Sequence, residues 1–136
     1  MLQAMNTGHE GSMTTIHANS TRDAMKRLEQ MVAMAGIAMS PGSIRSTIAS
    51  AIRVVIQLQR LPDGKRRVTS ISEITGMEGE VFQMHEVYRF VKESTDEQGN
   101  ILGTFRATGI RPTFLGDLKY TGIELPPSHF DPNRTL

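Results

Sequence analysis

A histidine at the end of a short alternating stretch is the side chain in this sequence best placed to do chemistry. Met13-Thr14-Thr15-Ile16-His17-Ala18 reads as a strand, with Met13, Thr15 and His17 on one face and Thr14, Ile16 and Ala18 on the other. Asn19, Ser20 or Thr21 can cap a following helix, so His17 would stand at the carboxyl end of a strand. In open α/β sheets ligands bind at that edge, and an imidazole there can exchange a proton or a hydrogen bond near neutral pH. The same histidine can instead do no more than order the strand-to-helix turn. His9, between Gly8 and Glu10, is a second candidate, although glycines serve backbone turns and a histidine can cap helix carbonyls. His9 and His17 lack both helical spacing and a third ligand, so no metal site is expected.

The elements that must position these groups follow from periodicity and punctuation. Met1 to Asn6 suits the last turns of a helix, with Leu2 and Met5 on one side. After the His17 strand, Ala24, Leu28, Met31, Val32 and Ala35 form an apolar helical stripe that Gly36 ends. Ser40-Pro41 opens a second helix whose buried side is Ile44, Ile48, Ala51 and Ile52. A strand flanked by helices belongs in a parallel sheet, which makes the start of the chain α/β. Val54 to Gln59 follows as a strand buried on both faces at first, and Leu61-Pro62-Asp63-Gly64 turns it into a hairpin with Lys65 to Thr75. Strands at Glu80 to Phe90 and Ile101 to Ala107 complete an antiparallel meander, and Pro112 opens a short helix toward Tyr120. The segment from Pro126-Pro127 to Leu136 reads as a poorly ordered tail.

Composition narrows the class of protein. A length of 136 residues with 38% hydrophobic and 21% charged content suits one folded domain rather than a disordered chain. A net charge of +1 exerts no long-range pull on nucleic acid or anionic lipid. Lys65-Arg66-Arg67 lacks interleaved aromatics and reads as a solvated edge, so nucleic acid is not an expected partner, and a nucleic-acid-binding domain is the weakest class considered. No cysteine is present to build a disulfide or a thiolate metal cluster. No apolar run approaches the length of a membrane span, and no leader pattern occurs, so neither is expected within these residues.

Several spaced blocks, in order, resemble one family. They begin with Leu2-Gln3-Ala4-Met5-Asn6-Thr7-Gly8-His9 and with Gly11-Ser12 followed by Thr14-Thr15-Ile16-His17-Ala18-Asn19-Ser20. They continue through Arg22-Asp23-Ala24, Arg27-Leu28-Glu29, Ala49-Ser50-Ala51-Ile52, Arg60-Leu61, Asp63-Gly64, Arg66-Arg67-Val68, Glu73-Ile74-Thr75-Gly76-Met77-Glu78-Gly79 and Ala107-Thr108-Gly109-Ile110-Arg111-Pro112. The pattern resembles the histidine box and downstream blocks of the type II/type IV secretion-system ATPases, nearest to the CpaF-type branch of tight-adherence (Flp) pilus assembly.

The resemblance implies the C-terminal part of a RecA-like P-loop NTPase core, a parallel sheet with helices, followed by the meander. Residues 1–126 would form that section and 127–136 the tail. It implies that His17 and Thr15 sense the ATP γ-phosphate, that Gly8, His9 and Thr14 lie near the nucleotide, and that Arg22, Arg27 and Arg60 contact a neighbouring subunit. Arg45 and Arg53 are further arginines of the same kind, and each of the five taken singly better suits an ordinary surface or structural ion pair. The intact parent would bind ATP and Mg2+ and act as a homo-hexamer with inner-membrane platform proteins, peripheral to the membrane at its cytoplasmic face in a bacterium. No G-x-x-x-x-G-K-[ST] phosphate loop occurs in this sequence, nor the acidic Walker B motif, so the chain alone is expected to hold no cofactor and to be inactive. The alternative class is a non-enzymatic interaction module that docks onto or regulates a full-length secretion ATPase.

Overall fold

The computed structural model describes residues 2–7 and 11–134. Its elements run α1 (Leu2–Asn6), α2 (Thr21–Met34), α3 (Pro41–Ala51), β1 (Val54–Arg60), β2 (Arg66–Glu78), β3 (Val81–Thr95), β4 (Ile101–Ala107) and α4 (Leu115–Tyr120), then a 3-10 turn at Pro127–Phe130. The chain divides into two compact units, residues 1–55 with 74–84 and residues 56–73 with 85–136.

The first unit joins three helices to the end of β2 and the start of β3, and its core is set by α2, α3 and those strand ends. Ser20 caps α2 by accepting from Asp23 N at 3.1 Å, and Ser40 caps α3 by accepting from Ser43 N at 3.2 Å, with Pro41 following in the first turn. Both α1 and α2 pack on α3. Ala24, Met25, Leu28, Ile44, Ile48, Ile74 and Phe82 form the buried cluster, against which Ile16, Ala18, Val32 and Met84 pack. The expected stripe of α2 is therefore rotated. Met25 is buried while Met31 and Ala35 are exposed, because positions 24, 25, 28 and 32 share the face that meets α3.

The sheet has four strands in the order β1-β2-β3-β4, all antiparallel. Neighbours in sequence are joined by tight turns, which pairs them antiparallel; no parallel pair occurs among the described residues. Residues 13–18, expected as a strand of a parallel sheet, form no strand and have no ladder partner among the described residues. The expectation for β1 also fails. Val54, Ile56 and Leu58 are 39%, 54% and 61% exposed, while Gln57 is buried, so the apolar face of this edge strand is open. An exposed apolar stripe on an unpaired edge is a template for association.

The second unit is held by aromatic packing and buried polar contacts. Tyr88 stacks on Phe105 at 5.7 Å and meets Phe130 at 6.0 Å. Tyr88 pairs with Ala107 and Phe90 with Phe105 across β3 and β4, with a bulge between Lys92 and Ser94. Residues 127–134 are not a loose tail. Phe130 is buried, and Tyr88 Oη donates to the His129 carbonyl at 3.0 Å. One ring contact and one hydrogen bond to Tyr88 anchor a segment that looked polar and proline-rich.

Candidate functional site

The tract from Gly11 to Ser20 leads into α2, and its side chains alternate despite the missing ladder. Ile16 and Ala18 turn inward onto the core cluster, while Thr15 and His17 are exposed. Two anchors in alternate positions hold the tract against the core, and the cap at Ser20 fixes where it ends. His17 and Thr15 thus project from the same side of a tract pinned at its far end, and neither has a hydrogen-bond or ionic partner among the described residues. Thr14 is exposed as well, and Met13 is almost fully so. Gly8 and His9 lie outside the described residues.

One hydroxyl and one imidazole, neither partnered among the described residues, can each donate to an oxygen of a ligand. Nothing in the sequence supplies the glycine-rich cradle that holds the inner phosphates. Among the described residues no three His, Asp or Glu side chains are grouped to hold a metal ion.

The arginines separate into two sorts. Arg22 and Arg27 are exposed on α2 with no carboxylate partner among the described residues. Arg60 closes its own hairpin, its Nε donating to the Gly64 carbonyl at 3.2 Å. Arg45 is structural: its Nε sits 2.9 Å from Glu29 Oε1 and its Nη1 3.6 Å from Glu80 Oε2. Arg67 is not part of a solvated edge. It lies in an inner strand, 2.8 Å from Asp63 Oδ2, donates to the Ile101 carbonyl at 3.0 Å, and stacks over the Phe90 ring at 5.5 Å.

Two buried carboxylates in the second unit escaped sequence reasoning. The Asp63 side chain is 1% exposed, and its oxygens accept from Lys65 N, Ile101 N and the Arg67 guanidinium at 3.0–3.1 Å. Burial opposes its ionisation, but those backbone and guanidinium donors prevail and lower its pKa from 3.8 to about 2. Glu73 accepts from Thr113 N, Thr113 Oγ1 and Phe114 N, tying β2 to the segment that opens α4. The Pro-Asp-Gly turn signal was visible at Asp63; its partner at Ile101 was not.

Residues 1–110 match the family described as "Type II/IV secretion system protein", and the chain belongs to that family. Among its relatives are conjugal transfer protein TrbB of Rhizobium radiobacter, 35% identical over 70% of this chain and 28% of that protein, and a putative conjugal transfer protein of Mycobacterium tuberculosis, 35% identical over 60% of this chain and 22% of that protein. Type IV secretion system protein VirB11 of Bartonella henselae is 33% identical over 52% of this chain and 20% of its own length. The chain spans about a quarter of the length of the curated relatives it matches. No helix among the described residues is long and apolar enough to cross a membrane.

Proposed function

We propose that this chain is the C-terminal section of a secretion-system ATPase of the CpaF type, which powers pilus assembly as a hexamer at the cytoplasmic face of a bacterial inner membrane, working with platform proteins there. In the intact enzyme the missing half of a RecA-like core would supply the parallel strands beside residues 13–18, together with the phosphate loop and the magnesium-associated acid. ATP and Mg2+ would bind there. Membership of the type II/IV secretion family over residues 1–110 supports the class of motor.

The observation that carries the site is the pairing of an inward Ile16 and Ala18 with an outward, unpartnered Thr15 and His17. A side chain that senses a phosphate must be held by its backbone and left free at its tip. His17 and Thr15 would donate to the γ-phosphate or its attacking water, with Gly8, His9 and Thr14 nearby. Loss of that phosphate would release the tract, and the cap at Ser20 would pass the change to α2. Arg22, Arg27 and Arg60 are the candidate contacts between subunits.

His17→Ala in the full-length enzyme is expected to lower turnover about 100- to 1000-fold, the effect of losing one donor to developing charge, with nucleotide affinity nearly unchanged. Steady-state ATP hydrolysis, nucleotide titration and melting temperature, measured together, check it. Unchanged turnover in a destabilised protein would leave His17 as a turn residue only.

A further inference from the structure

Outside the His17 tract, the first unit carries a cleft of about 330 Å³ between α2 and the start of β3. Its apolar lining comes from Met25, Val81, Phe82 and Met84. Met25 and Phe82 are buried and make a fixed floor, whereas Val81 is 57% exposed at the mouth. Methionines in such a lining adjust to the shape of what they meet.

The charges around this lining are unbalanced. Three cations, Arg22, Lys26 and Arg45, line the cleft with two carboxylates, Glu29 and Glu80, an excess of one positive charge. Arg45 lies against both carboxylates, 2.9 Å from Glu29 Oε1 and 3.6 Å from Glu80 Oε2. Arg22 and Lys26 complete the rim, are exposed, and have no carboxylate partner among the described residues. They lie four residues apart on α2, hence on one helix face, where like charges repel unless a negative group comes between them. An apolar floor beneath a rim with one excess positive charge, carried on the side of Arg22 and Lys26, suits an anionic ligand with an apolar anchor. The volume, at the low end for ligand sites, suits one or two side chains.

We propose that this cleft docks an acidic peptide segment of another protein, seating one bulky apolar side chain on Phe82, Val81 and the two methionines while carboxylates on either side pair with Arg22 and Lys26. In a second copy of the chain the exposed stretch Ile123-Glu124-Leu125 lines a cleft with Arg111 and Lys119, which sets cations beside its one carboxylate. The docking site is independent of phosphate sensing by His17, and would let a partner grip the helix that the His17 tract feeds.

Fluorescence anisotropy with this chain and a labelled synthetic peptide of the composition Glu-Glu-Leu-Phe-Glu-Glu tests it. Binding is expected in the range of about 10–100 μM and should weaken as salt rises. The peptide with lysines for glutamates, and the one with serines for Leu-Phe, should both fail to bind. Arg22→Glu with Lys26→Glu should weaken binding at least tenfold, and so should Val81→Ser; all three sites are exposed, and circular dichroism verifies the fold. Binding absent at about 1 mM, binding shared by the lysine peptide, or binding indifferent to these substitutions would overturn the proposal. So would sedimentation showing self-association that the charge reversal abolishes, since a second copy would then occupy the cleft.

Discussion

The tract from Gly11 to Ser20 and the turn from Leu61 to Lys65 are both short, polar stretches rich in hydrogen-bonding groups, and the fold treats them in opposite ways. In the second unit Asp63 is buried and both of its oxygens are engaged by backbone and guanidinium donors. In the first unit Thr15 and His17 are exposed and unpartnered, although the residues between and beside them are anchored. Buried polar groups must be satisfied to avoid a desolvation penalty, so their partners are structural. A polar group left free on a pinned backbone is available to something outside the chain.

The comparison is sharpest where the anchor of the tract is attacked. Ile48 is fully buried in the cluster on which Ile16 and Ala18 rest, and Ile48→Ala is expected to cost about 2–5 kcal/mol. Chemical denaturation measures the loss, and limited proteolysis should then cut first between residues 11 and 20. Cutting elsewhere first would mean that the tract is not held by this cluster.

Gly103 probes the rigidity of the second unit in the same way. A side chain there would overlap the Val91 carbonyl and the Phe90 ring, at a register position facing Lys92 beside the bulge. Gly103→Ala should destabilise by about 1–3 kcal/mol in a melting experiment, because neither backbone nor ring can withdraw freely. A neutral result would show that β3 and β4 yield more readily than their packing suggests.

Acid tests the Asp63 contacts directly. Its folded pKa of about 2 lies below the ordinary 3.8, so its stabilising contribution is fully present above about pH 4 and disappears as the pH falls toward 2. Melting temperature followed by circular dichroism should fall through that window in the wild type. Asp63→Asn should melt lower at pH 7 and show a shallower acid slope. Equal slopes would remove Asp63 from the network.

The smallest effect is expected at the other pole of the comparison. Thr15→Ala and His17→Ala in this chain should each change stability by less than about 0.5 kcal/mol, since exposed groups without partners contribute little to the folded state. A larger loss by denaturant titration would place these side chains among the structural contacts and away from a ligand.

The sequence by itself determined the elements whose signals are local. Caps at Ser20 and Ser40, Pro41 at a helix start, the Pro-Asp-Gly turn and the alternation of Val81 to Glu86 each specify a backbone state through neighbours a few residues away. Family membership was legible in the same way, from ordered blocks of residues around His17 and Glu73. Tertiary structure alone decided which faces are covered. The pattern Val54-Val55-Ile56 specifies a strand but not its neighbours, and here its alternate residues are open at a sheet edge. Thr15-Ile16-His17 likewise alternates as a strand would, yet a ladder needs a partner, and none pairs with it among the described residues. Asp63 and Ile101, Glu73 and Thr113, and Tyr88 and His129 meet across about 40 residues of chain, beyond the reach of any local rule. Short-range geometry is written in residue type and spacing, whereas burial and polar satisfaction depend on what the rest of the chain brings into contact.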